Sequence, residues 1–168
     1  KKTWNYPDSK GCYIAQNLTI WPDGMIVTGR DLNSTPIGIR GWNDFAICCE
    51  IFGNFDKGGD TMPPAQRKAV ITVYGEFCKR FGLIPSSNTI RYHCWFTAAG
   101  VYLAGYDKYR SAKTCPGTAF VGGNTMAAFK ANFLPAVKEY IANNKTTTPF
   151  KPYLIRVTAD VLNIRQDA

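Results

Sequence analysis

Ile47-Cys48-Cys49-Glu50-Ile51-Phe52-Gly53 is a short apolar run with a single carboxylate inside it. Residues 46–52 read as a strand, and their nearly unbroken apolarity predicts burial on both faces. A carboxylate in such a place is costly unless something partners it. Glu50 is therefore either a structural ion pair with a lysine or arginine, or a group whose pKa is raised by lost hydration. The second suits a general base near neutral pH.

On the N-terminal side, residues 13–21 alternate well enough for a strand, Pro22-Asp23-Gly24 is turn chemistry, and residues 25–28 return as a second strand. This predicts a hairpin. Residues 31–43 are rich in Gly, Pro, Asn and Ser and read as a loop. On the C-terminal side a helix is expected, with Thr61 as cap, Pro63 and Pro64 in its first turn and Gly82 as its stop. Its apolar residues recur at Ala69/Val70, Val73/Tyr74, Phe77/Cys78 and Phe81. Residues 89–93 read as a short strand ending at His93, and a long loop leads from there to Cys115. A second helix spans about 125–143, with a kink expected at Pro135.

At 168 residues the chain fits one domain of ordinary core size. No apolar stretch approaches the roughly 18 residues of a membrane span, and the first residues do not read as the charged, then apolar, then small-residue pattern of a signal peptide. The net charge of +8 favours an anionic partner. The basic residues are scattered and no nucleic-acid motif is present, so an anionic wall polymer is the better use of that charge. Six cysteines without a CxxC pair read as reduced thiols rather than a disulfide framework. The N-x-S/T sequons at Asn17, Asn33 and Asn144 matter only in a glycosylating source.

Lys113-Thr114-Cys115-Pro116-Gly117, taken with His93, the one histidine, supplies a cation and two zinc-type donors. Imidazole and thiolate both bind zinc well, but a catalytic zinc takes three protein ligands and keeps one position open. Singly, each residue has a bland reading: a structural histidine, a buried thiol, a solvated lysine. The order of the motifs along the chain is more specific. Asn17, Asp23-Gly24 and Gly29-Arg30 come first, then Gly41-Trp42-Asn43-Asp44-Phe45 leading into the Glu50 strand. Gly53-Asn54-Phe55-Asp56, Pro64-Ala65-Gln66, His93 and the Lys113 block follow.

This order resembles the zinc-dependent N-acetylmuramoyl-L-alanine amidases, a superfamily that includes the peptidoglycan recognition proteins. The resemblance runs over about residues 13–142. It implies an α/β fold, with a central mixed β-sheet flanked by helices and the first strand missing from this chain. It also implies a catalytic domain over residues 1–144 and a linker over 145–151. Residues 152–168 look like the start of a bacterial SH3 domain, and Leu162-Asn163-Ile164-Arg165 carries that likeness.

The resemblance casts His93 and Cys115 as two ligands of Zn²⁺, Glu50 as the residue that activates water, and Lys113 as the stabiliser of the oxyanion. The family's first zinc histidine lies on an earlier strand, so the third ligand is expected upstream of Lys1. Gln16 falls near the position of a catalytic tyrosine in some relatives; it is assigned to substrate binding with Asn43 and Trp95. The two donors lie 22 residues apart, an unusually long gap. It holds Tyr102, Tyr106, Tyr109 and Arg110, read either as a loop beside the substrate groove or as one packed on the domain.

The implied reaction cuts the amide between N-acetylmuramic acid and L-alanine in peptidoglycan. The implied setting is a phage endolysin or bacterial autolysin, made in a bacterial cytoplasm and acting at the wall. The alternative is a wall-binding module of the same fold without catalysis. A third reading, with Cys115 as nucleophile and His93 as base, leaves Glu50 unused.

Overall fold

The computed structural model describes residues 11–145. The expected linker beyond Lys145, the SH3-like segment and any ligand upstream of Lys1 lie outside the described residues. The hairpin forms as expected but with shorter strands, β1 (Leu18–Ile20) and β2 (Ile26–Thr28), paired antiparallel. Asp23 holds the turn through its carboxylate, which accepts from the backbone N–H of Met25 at 2.9 Å. β3 (Cys49–Ile51) lies parallel to β1 on its other side, giving the order β2-β1-β3 in a mixed sheet.

Asn17 is the staple between these strands. Its Oδ1 accepts from Cys48 N–H at 2.9 Å, and its Nδ2 donates to the carbonyls of Arg30 and Asp31 at 3.2 and 3.0 Å. The side chain is 1 % exposed, so these bonds satisfy an amide that would otherwise be costly to bury.

The Glu50 strand corrects the expectation of burial on both faces. Cys49 and Ile51 turn toward the helices and the core, whereas Glu50 on the alternate face is exposed. The adjacent cysteines and isoleucines hid this alternation, because both faces of the strand carry apolar residues on either side of the carboxylate.

Helix α1 (Pro64–Arg80) corrects its own expected start. Pro63 is the N-cap and no side chain caps the helix, so Thr61 does not serve. Prolines 63 and 64 carry no N–H, so fewer orphan donors need a cap. The helix buries Val70, Ile71, Val73 and Cys78 against Leu18 and Ile20 of the sheet. Each fully buried aliphatic side chain contributes about 2 kcal/mol. Gln66 is also fully buried, its Nε2 donating to the carbonyls of Ile20 and Phe52 at 3.0 and 2.8 Å. That amide ties the ends of β1 and β3 to the first turn of α1.

The C-terminal helix is built in three pieces. Thr125 caps α2 (Met126–Ala128), its Oγ1 accepting from Ala128 N–H at 3.1 Å. A π-helical turn spans Phe129–Phe133, and α3 (Leu134–Asn143) follows with Pro135 in its first turn. The interruption expected at Pro135 is thus a widened turn just before it, where the missing proline N–H is absorbed. Helices α1 and α3 meet closely at Gly75, where an added Cβ would run into the Tyr140 ring.

Residues 89–93 do not form a strand. Thr89 Oγ1 donates to Ile84 O and accepts from Ser86 N–H at 2.7 and 3.0 Å, and Ser86 O accepts from Ile90 N–H at 2.9 Å. These local bonds take the groups that a sheet ladder would use. His93 instead opens a 3₁₀ turn, His93–Trp95. Beneath that turn Tyr92, Trp95, Phe120, Phe129 and Phe133 form an aromatic core, with Trp95 and Phe129 edge to face at 5.1 Å.

Candidate active site

Three segments converge: β3 with Glu50, the 3₁₀ turn with His93, and the loop 113–118 with Lys113 and Cys115. The turn is anchored from below, since Cys94 and Trp95 are fully buried and leave His93 half-buried above them. Cys94 N–H donates to Cys115 O at 2.8 Å, which holds the two candidate donor residues side by side along the backbone.

The loop carrying Cys115 has no regular structure, and polar groups fix it instead. Asp56 Oδ2 accepts from Thr114 Oγ1 and its Oδ1 accepts from Thr118 N–H, both at 2.9 Å. Thr118 Oγ1 accepts from Lys57 N–H at 2.8 Å. Asn124, 2 % exposed, donates from Nδ2 to Thr114 O at 2.8 Å. Its own carbonyl accepts from Trp95 Nε1 at 2.8 Å. Asn124 therefore links the neighbour of Cys115 to the neighbours of His93. Gly117, at φ +123°, lies so close to the Phe55 carbonyl that a Cβ there would collide with it.

The electrostatics couple all four residues. Burial raises the Glu50 carboxyl above its ordinary value, and the positive charge of Lys113 partly offsets this. Burial depresses the His93 imidazole, and Lys113 depresses it further, so the ring is neutral at pH 7. Burial, then the Glu50 charge, push the Cys115 thiol up to about 11, against the pull of Lys113. Glu50 and Cys115 both keep water-accessible surface, and the protein packed on their remaining sides removes enough hydration to set these directions. Asp56 is shifted the other way: the Thr118 N–H and then the Thr114 hydroxyl hold its carboxyl below the usual range.

The remaining expected site residues make contacts of their own. Gln16 is half-buried at the approach to β1, where its backbone carbonyl accepts from Arg30 N–H at 3.0 Å. Asn43 Oδ1 accepts from Gly38 and Ile39 N–H at 2.9 and 2.8 Å and shapes the loop ahead of β3. Trp95, expected to touch substrate, is instead a strut of the core, at 0 % exposure. Its large apolar ring fills the space beneath the turn, and its one polar atom is spent on Asn124.

The long loop between the donors is packed on the domain along most of its length, with an exposed bend at Tyr109 and Arg110. Phe96 bridges to Tyr102, and the Arg91 guanidinium lies between the Trp42 and Tyr102 rings at 4.6 and 4.5 Å. Tyr102 and Tyr106 pack against the core, while Tyr109 is 90 % exposed and Arg110 is also in solvent.

The chemistry of the donor set bears on zinc. A neutral imidazole beside a thiol is a proper pair of zinc donors, one short of the three that a catalytic site uses. Among the described residues no group of three or more His, Cys, Asp or Glu side chains is disposed to hold a metal. His93 and Cys115 thus fit zinc as part of a ligand set.

The sequence profile of a family described as N-acetylmuramoyl-L-alanine amidase matches residues 2–118, well over half of the chain. The chain belongs to that amidase family. The matched span takes in Glu50, His93, Lys113 and Cys115 and ends at Thr118, the residue whose amide and hydroxyl fasten the loop. A search among curated proteins found no match. No described helix of this amidase-family chain is long and apolar enough to cross a membrane.

Sequence reasoning quoted Asp56 within a motif and gave it no role, and it passed over Asn124. Their partners Thr114 and Thr118 lie up to 62 residues away along the chain, beyond the reach of periodicity or turn chemistry.

Proposed function

We propose that this chain hydrolyses the amide between N-acetylmuramic acid and L-alanine in peptidoglycan, with zinc held by His93, Cys115 and a third donor outside the described residues. The observation that carries the reading is the electrostatic coupling of Glu50, His93, Lys113 and Cys115 within the family-matched span. Zinc bound there would supply Lewis acidity, which polarises a carbonyl and makes a nearby water a stronger acid.

The remaining chemistry falls to the chain's own residues. Glu50, its carboxyl raised by burial, accepts the proton of the attacking water and returns it to the departing amine of L-alanine. Lys113 faces the oxygen on which negative charge develops, where a fixed cation lowers the barrier. His93 and Cys115 hold their relative position through the Cys94–Cys115 backbone bond and the Asn124 link. The net charge of +8 draws the enzyme toward anionic wall polymers. We place its action at the bacterial wall, in the manner of an endolysin or autolysin.

The test combines elemental zinc analysis with release of free L-alanine amino groups from purified peptidoglycan. It is run on this chain and on a form extended upstream, with and without chelator. Chelator-sensitive release and one zinc per extended chain are expected. Wall binding without zinc or release from the extended form would leave a recognition module.

A further inference from the structure

We propose that Trp21 and Phe52 form an aromatic platform that binds a sugar ring of the glycan strand beside Glu50. The inference rests on the amidase reading for its choice of ligand. Phe52 stands two residues beyond Glu50, and side chains two apart share a face of a strand. At roughly 3.3 Å per residue, the two positions are about 7 Å apart. Phe52 N–H donates to Ile20 O at 3.0 Å and carries the β1–β3 ladder one step past its last strand pair, which brings Trp21 alongside. The two rings stack at 4.5 Å with an interplanar angle of 17°.

The opposite face of the sheet is covered, since Leu18 and Ile20 are buried beneath α1. The Glu50 face is open by contrast, with Phe52 49 % and Met25 48 % exposed at the hairpin end. Folding alone gives no reason to stack two large rings at the edge of such a face and leave the outer one, Phe52, half in water while Trp21 is only partly covered. A second observation points to a ligand with hydroxyl groups. Trp21 Nε1 is buried and has no hydrogen-bond partner, although a buried indole N–H ordinarily finds one.

A pyranose ring matches both features. Its axial C–H bonds form an apolar face that lies flat on an aromatic ring, and its rim of hydroxyls supplies acceptors for an indole N–H after a small ring rotation. The scissile amide joins a sugar-borne lactyl group to a peptide. With the carbonyl at Glu50, a sugar therefore lies within a few ångströms on one side. The first residues of the peptide are small or charged and offer no comparable apolar face.

The direct test is calorimetric titration of the chain with chitotetraose, a peptide-free oligomer of N-acetylglucosamine, for the parent, Phe52→Ala, Phe52→Tyr and Trp21→Phe. Loss of the exposed ring in Phe52→Ala is expected to weaken binding by about tenfold, the scale of one aromatic contact. Phe52→Tyr should bind as the parent does, and Trp21→Phe, which keeps the stack and deletes the N–H, should lose about threefold. Circular dichroism and Tm establish that each variant is folded. With intact peptidoglycan, Phe52→Ala should raise KM and leave kcat near the parent value.

A parent that does not bind the oligomer, or a folded Phe52→Ala that binds as tightly as the parent, overturns the platform. The reaction assignment fails separately. Phe52-dependent oligomer binding without any amine release would remove the amidase reading and leave the platform standing.

Discussion

Glu50 and the His93–Cys115 pair face one another but are held by different physics. Glu50 rides on a three-residue strand, positioned by ladder bonds to β1 and by apolar packing on its far side. His93 sits on a single 3₁₀ turn and Cys115 on a loop, and a lattice of polar bonds through Asp56, Asn124 and Thr118 does the positioning. A strand gives direction cheaply, because its neighbours share the same repeat. A loop must be fixed bond by bond, and each bond is a point at which it can be loosened without disturbing the rest.

Replacing Glu50 by glutamine is the sharpest way to separate chemistry from scaffold on the strand side. Amine release should fall by about 10²–10⁴, the usual contribution of general acid–base catalysis, with Tm unchanged or slightly raised. A folded Glu50→Gln that retains parent activity would take the carboxylate out of the mechanism. On the loop side the largest effect is expected at Gly117. Gly117→Ala forces a Cβ against the Phe55 carbonyl in a left-handed conformation and should cost about 2 kcal/mol or more, read by urea denaturation. A neutral result would show that the loop relaxes freely and that the lattice is slack.

Asn124→Ala is a milder break. It strips the donor from Thr114 O and should cost about 1–3 kcal/mol by the same measurement. If the lattice sets the donor geometry, this variant should also weaken zinc uptake by the extended form. Equal uptake with reduced stability would confine Asn124 to folding.

The smallest effect is a pH dependence. Asp56 has a depressed carboxyl in the folded chain, so its contribution is fully present above the ordinary carboxylate value of about 4 and disappears as pH falls through the folded value. The Tm gap between the parent and Asp56→Asn should be widest near neutral pH and close on acidification. A gap that stays constant down to pH 2 would mean that the charge of Asp56 is irrelevant to the clamp.

The same division explains what was legible beforehand. The hairpin was readable because Pro22-Asp23-Gly24 acts on its own neighbours, and α1 because its apolar period needs no distant partner. The open face of β3 was hidden by the apolar residues around Glu50, which hold no record of what covers them. Residues 89–93 have strand-like composition, and the Ser86 and Thr89 side chains override it locally. The four residues grouped at the site were named from their own chemistry and from motif order, whereas the polar lattice that seats them joins residues tens of positions apart.

The widened turn at Phe129–Phe133 has a consequence for how this chain can vary in length. A π turn holds one residue more than an α turn, and each residue advances a helix by about 100°. Removing a single residue such as Ala131 would let α2 and α3 merge into a continuous α-helix. Val137 and Tyr140 would keep their seats against α1, because the wide turn absorbs the surplus residue and passes none of its rotation down the helix. The wide turn acts as a slack loop in the helix: a residue can be gained or lost there while the segment before it stays fitted to the loop that carries Asn124 and the segment after it to α1.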